Sequence, residues 1–405
     1  MTTIAVPARR SLLHPDPVVR RLAVMTLVNA FGNGLFMTVG VLFFTRVLHF
    51  DAGEVGIGLA VAGLCGVLAS FPAGRAADRW GSRRVLTALV IAEALGMSCY
   101  VLVHSFTAFL LLASLVTAVD RGSSAVRNTL YAQALSKETR VHGRAYLRAV
   151  TNVAIGAGAA VAALALQADT RQAYLTAILV DAATFVVVAL ILPAIPVTAV
   201  PRTERSSVAG PLRDPGFLAV TVLSALLMLQ FSVIEVGVPL WLVQSTHAPR
   251  VLVAPLLIVN TVLVVLFQVR ATRGTDDPAG AVRAFRRGGL LVAAFCLVTA
   301  LAAGASPLLA ALVLVAGAIL QALGEVLSQA GGWALSYDLA SEGAMGAYQG
   351  VFNAGAAAAV MLGPPLVTLT ALSHGFPGWA VLAALFAVTG LLMGPAVRWA
   401  EHRRP

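Results

Sequence analysis

Five carboxyl side chains sit where a carboxyl is costly to keep. Glu93, Asp120, Asp181, Glu235 and Glu325 each interrupt a long apolar stretch. A charge at the centre of a bilayer costs about 2.5–3.5 kcal/mol on insertion scales. A carboxyl at that depth faces a wet cavity, pairs with a base or holds a proton. The last case is useful chemistry, because such a group can take and release a proton as its surroundings change sides. Asp120 and Arg121 adjoin, but helix neighbours point about 100° apart and need not pair. Asp120 is therefore either a coupling residue in a cavity or half of a structural salt bridge. Glu235 stands among Phe231, Pro239 and Trp241. Aromatic faces attract cations, so this acid reads as a gate or as part of a cation site. Glu325 has Gln321 one turn before it and Gln329 one turn after, all on one helix face. That stripe is a cavity wall or an interhelical contact. Asp120, Arg121, Glu235 and Glu325 are the proton-coupling candidates.

Other chemistries find no residues to carry them. The sequence has no G-x-x-x-x-G-K-[ST] phosphate loop, so ATP hydrolysis is not expected as the energy source. It has no H-E-x-x-H pair, no nucleophile elbow and no polar domain to host catalysis, so an enzyme is not expected. Cys65, Cys99 and Cys296 lie in apolar blocks without metal-ligand spacing, and no cofactor is implied. The net charge of +10 does not read as a nucleic-acid surface, because the basic residues sit in short loops between apolar blocks. The expected partners are the bilayer, protons and a small-molecule substrate, with the chain acting as a monomer.

The elements that must position these residues follow from composition. Of 405 residues, 59% are hydrophobic and only 11% charged. A soluble domain carries roughly 25% charged residues, so this chain cannot cover a water-facing surface. Apolar blocks of about 20 residues, enough to cross hydrocarbon, recur along it. The expected spans are 22–47, 54–76, 84–103, 107–132, 144–167, 172–193, 217–243, 252–270, 288–305, 307–331, 344–372 and 378–398. The first is too long for a cleaved signal segment and is expected to stay. Alternate connections hold 22 of the 28 Lys and Arg, and the opposite set holds Arg46, Arg171 and Arg250. That asymmetry places both termini in the cytoplasm of a multi-pass plasma-membrane protein. The proline- and arginine-rich stretch 194–216 reads as a cytoplasmic linker between six-helix bundles at 1–193 and 217–405. A short basic loop recurs six spans apart, at 74–84 and 270–287, so the halves are related.

The first of those loops reads Gly74-x-x-x-Asp78-Arg79-x-Gly81-x-Arg83-Arg84. It resembles the signature loop between helices 2 and 3 of major facilitator transporters. Locally, Gly74 allows close helix approach, Gly81 allows a tight turn, and Asp78 is an anion suited to a helix N-terminus. The resemblance implies an all-α major facilitator fold of twelve transmembrane helices in two pseudo-symmetric bundles. It also implies that Asp78 meets the start of helix 11, near Glu342–Gly346, with Arg127 as a second partner. Helices 1 and 7 line the cavity in this fold. Asn29, Asn33 and Phe36, with Phe231, Trp241, Gln321 and Asn353, are then substrate-cavity candidates. Helices 3 and 6 lie outside that cavity, so Glu93 and Asp181 are expected in structural pairs. The stretches Asp120–Arg127, Arg144–Asn152 and Gly346–Asn353, with Gly363-Pro364-Pro365, are similar to drug–proton antiporters of actinobacteria. They imply alternating-access export of small amphipathic compounds, with a metabolite importer or facilitator of the same fold as the alternative. A transport-inactive receptor or scaffold would carry a decayed signature loop or a large added domain, and neither is present.

Overall fold

In hydrocarbon the backbone must satisfy its own hydrogen bonds, and apolar blocks of this length do so as helices. The computed structural model describes residues 14–197 and 210–402. Its long helices are α1 (Pro17–Val47), α2 (Gly53–Trp80), α3 (Ser82–Leu102), α4 (Phe106–Ala134), α5 (Lys137–Ala168) and α6 (Arg171–Ala194). The second half holds α7 (Pro215–Ser245), α8 (Arg250–Phe267), α9 (Pro278–Ala300), α10 (Pro307–Asp338), α11 (Met345–Leu372) and α12 (Phe376–His402). Among the described residues, eleven of these are long and apolar enough to cross a membrane. The twelfth, α9, takes Arg283, Arg286 and Arg287 into its first turns.

The two halves begin alike. Asp16 caps α1 through Val18 N at 2.7 Å, and Asp214 caps α7 through Phe217 N at 2.9 Å. Each is followed by proline at the first helical position, where the missing N–H costs nothing. Burial follows the same division. One core runs from Val19 to Ile195, and another draws nearly all its residues from Phe217 to Ala400.

Helix ends depart from the expected spans where charge does not stop a helix. Asp277 caps α9 and Pro278 opens it, so the expected loop 270–287 is largely helix. α2 runs to Trp80, which puts Asp78 in its last turn rather than in a loop. α5 starts at Lys137, seven residues before the expected 144. Of the expected linker, 198–209 lies outside the described residues. α7 is not regular: Val233–Gly237 is a π-turn that leads into Pro239. Proline has no N–H to give the Glu235 carbonyl, and the wider turn accommodates that loss.

Candidate functional site

The chain crosses between bundles most tightly at the end carrying the α2–α3, α4–α5 and α8–α9 connections, here called the basic end. Asp78 reaches across from α2 to the start of α11. Its Oδ1 accepts from Gly346 N and its Oδ2 from Ala347 N, each at 2.7 Å. α11 has no side-chain cap of its own, so Asp78 supplies one from the other bundle. The approach needs glycine, because a Cβ on Gly74 would overlap the Gly346 carbonyl. Gly81 follows at φ 89°, the left-handed region that ends α2 and turns the chain into α3. Arg83 reaches the carbonyls of Pro193 and Ile195 at 3.4 Å, tying this turn to the end of α6. Arg79 lies over the Trp80 ring, and Arg84 is exposed. Arg127 does not contact Asp78. It makes no hydrogen bond or ion pair among the described residues, and its charge lies within electrostatic reach of Glu93.

A second latch joins α5 to α10. The Arg144 guanidinium sits 4.7 Å from the Trp333 ring and donates to the Tyr337 hydroxyl at 2.6 Å. Arg140 stacks on the same tyrosine at 5.4 Å. Nearby, Asn353 of α11 is a junction with α4. Its amide donates to the Arg121 carbonyl at 3.1 Å, and its oxygen accepts from Asn128 at 3.3 Å.

The densest polar group lies near the middle of α10. Glu325 is 3% exposed, yet its carboxylate is fully engaged. Gln329 donates to Oε1 at 3.0 Å, while Gln321 and Asn260 each donate to Oε2 at 3.3 Å. Asn260 also donates to Gln321, and Gln321 to Gln230 of α7 at 3.5 Å. Across the bundle boundary, Arg148 of α5 stands 3.8 Å from Oε1, with its guanidinium 5.8 Å from the Phe231 ring. Arg148 is the one base in the group, and its Nε has no hydrogen-bond partner. Three amide donors and a guanidinium meet this carboxyl, the partners that an ionised form needs in so buried a place. Phe231, Trp333 and Phe352 line a small apolar cleft beside Gln230 and Gln329. A larger cavity of about 530 Å³ opens at the basic end, between Lys137, Arg140, Asp276 and Tyr337. It is a surface recess among the connections, distant along α10 from the Glu325 group.

Other expected site residues lie elsewhere. Asp120 and Arg121 do pair, at 3.6 Å, both half-exposed. Glu235 is exposed on the π-turn, within electrostatic reach of Glu325 and Arg148. Phe36 is half-buried. It stacks on Tyr100 at 5.8 Å inside the first bundle. Trp241 likewise packs inward, donating to the Thr299 carbonyl at 3.1 Å and meeting Trp379 edge-on. Asn33 is half-buried and Asn29 fully buried. Glu93 and Asp181 are buried without the basic partners expected of them. No group of acids, histidines or cysteines among the described residues could hold a metal ion.

Comparison with known proteins gives the fold a family. The model described as "Major Facilitator Superfamily" matches residues 22–317. No curated protein matches the chain. Among solved structures, a bacterial homologue of the iron transporter ferroportin in an outward-facing state superposes with a TM-score of 0.75. It is 16% identical, over 96% of this chain and 100% of that one. The E. coli fucose:proton symporter FucP gives 0.73 at 13% identity, covering 93% and 98%, both as a point variant and in the outward conformation. The human organic anion transporter MFSD10 (TETRAN) gives 0.70 at 17%, covering 93% and 98%. At these identities the likeness is one of fold.

Proposed function

The chain belongs to the Major Facilitator Superfamily, and on that premise we propose that it is a proton-coupled exporter of small amphipathic compounds. The observation that carries this reading is the Arg148–Glu325 pair, which joins the two bundles at mid-depth inside a neutral amide network. Rocking of one bundle against the other withdraws Arg148 from Glu325. The carboxylate then loses its counter-charge and is neutralised by a proton. Return of Arg148 expels that proton, so each swing of the bundles is tied to proton movement. Phe231, Trp333 and Phe352 supply an apolar, aromatic lining beside this pair, which a lipophilic cargo meets once the bundles rock apart. Export, rather than import, rests on the likeness of helices 4, 5 and 11 to drug–proton antiporters. The charge asymmetry of the connections supports a plasma-membrane protein with its basic end and both termini in the cytoplasm. In that orientation the Asp78 and Arg144 latches close the cytoplasmic side.

The test is efflux of a fluorescent lipophilic cation, such as ethidium, from cells expressing the protein. Efflux stops when an uncoupler collapses the proton gradient. Efflux that continues unchanged after collapse rejects the proposal.

A further inference from the structure

The interior of the first bundle holds polar atoms that the Arg148–Glu325 group does not use. Glu93 on α3 and Asp181 on α6 are each 1% exposed. Both Glu93 oxygens and Asp181 Oδ1 lack any hydrogen-bond partner. Two further buried side chains share this state: Asn29 on α1, at Nδ2, and Ser123 on α4, at Oγ. The four converge from four helices. The Asp181 carboxyl and the Thr184 hydroxyl lie against Gly32 of α1, where any Cβ would overlap both. Asn29 is one turn from Gly32 on the same face. Ser123, Asp120 and Arg127 of α4, with Asp181 of α6, lie within electrostatic reach of Glu93, and Asp120 lies within reach of Asp181 as well.

An unpaired carboxylate is among the costliest groups to bury, and two near a third acid are worse. Some positive charge must neutralise them. The nearest bases do not: Arg121 is paired with Asp120, and Arg127 makes no bond to Glu93. A metal ion does not fit either, since no acid group among the described residues has the geometry to hold one. Protons need no cage of ligands. Asp120 differs from the other two in being half-exposed, so it is the member through which the group opens out of the bundle interior.

We propose that Glu93 and Asp181 form a proton store enclosed in the first bundle, with Asp120 as its port. In this conformation both buried carboxyls are neutral acids. On release, a proton leaves Glu93 as H⁺ through Asp120, and Arg127, otherwise unpaired, becomes the counter-charge of the Glu93 carboxylate. The unpartnered Asn29 and Ser123 groups supply the donor and acceptor that either form needs. This store is separate from Arg148–Glu325 and holds protons whether or not transport is coupled to them.

Infrared spectroscopy of the purified protein tests it without a transport assay. In a Glu325→Gln background, the protein shows a carboxylic C=O stretch at neutral pH that shifts in heavy water and is lost on raising the pH. Glu93→Gln and Asp181→Asn each remove part of that band, and their amides mimic the neutral acids, so both fold. Asp120→Asn keeps the band but slows its loss after a pH jump at least tenfold. The Glu325→Gln protein alone overturns the proposal if it shows no such band at neutral pH. A band that neither Glu93→Gln nor Asp181→Asn diminishes overturns it as well. Loss of the band on adding sodium chloride at constant pH overturns it in favour of a metal-cation site.

Discussion

Replacing Asp78 by asparagine removes one charge and one acceptor from a junction that holds the two bundles together at the basic end. The wild-type carboxylate accepts two backbone N–H bonds from the first turn of α11, each at 2.7 Å. Hydrogen bonds to a charged group contribute about 1.5–3 kcal/mol each. Asparagine keeps one acceptor, loses the second bond, and gives up the attraction of a charge to a helix N-terminus. The side chain is half-buried, so part of this is screened. The net loss is about 2–3 kcal/mol, which weakens closure by about 30- to 150-fold. Neither helix should unfold, because an apolar helix in hydrocarbon keeps its own backbone hydrogen bonds whichever helix it packs on. The assay is the distance distribution between spin labels at Glu138 and Arg273, both exposed at the basic end, with Cys65, Cys99 and Cys296 replaced. The Asp78→Asn protein should gain a longer-distance population at the expense of the short one, and its transport should slow at normal expression. An unchanged distribution, or full transport, would refute the reasoning.

Three further outcomes follow from the same geometry. Gly74→Ala drives a methyl group into the Gly346 carbonyl, so it should open the basic end more than Asp78→Asn does, read by the same labels. Arg144→Ala removes a guanidinium stacked on Trp333 and bonded to Tyr337; a buried cation–π contact is worth about 0.5–2 kcal/mol, so closure should weaken up to about 30-fold, with Arg144→Lys in between. At the far end, the Tyr174 hydroxyl and Arg46 hold the Asp169 carboxyl below the usual carboxylate range. A depressed value stabilises the fold above the ordinary range and is lost as pH falls through it. Thermal midpoints of wild type and Asp169→Asn should therefore differ slightly at neutral pH and converge in strong acid, with transport unaffected.

Much of this architecture is legible in the residues, for physical reasons that also mark the limit. Length and apolarity fix a helix in lipid, so the spans can be read one by one. Their ends are less legible: three arginines do not stop α9, because long basic side chains can reach the interface from inside a helix. The Gln321–Glu325–Gln329 stripe is visible at helical spacing, since those bonds are local. The Arg148 partner is not, because α5 and α10 meet only in the folded chain. Phe36, on a cavity helix of the family, and Trp241, an aromatic ring near Glu235, are expected in the cavity. An apolar helix gives no sign of which face turns inward, and both turn into their own bundles. Helix position likewise suggested structural pairs for Glu93 and Asp181, but it says nothing of whether a base stands opposite.

The most direct test of the account is accumulation of a lipophilic cation in proteoliposomes under an imposed pH gradient, comparing wild type with Glu325→Gln. The account predicts gradient-driven accumulation by wild type. It predicts none by Glu325→Gln, which should still exchange labelled for unlabelled substrate at equal pH. Gradient-driven accumulation by Glu325→Gln at the wild-type rate, or a wild type indifferent to the gradient, would contradict it.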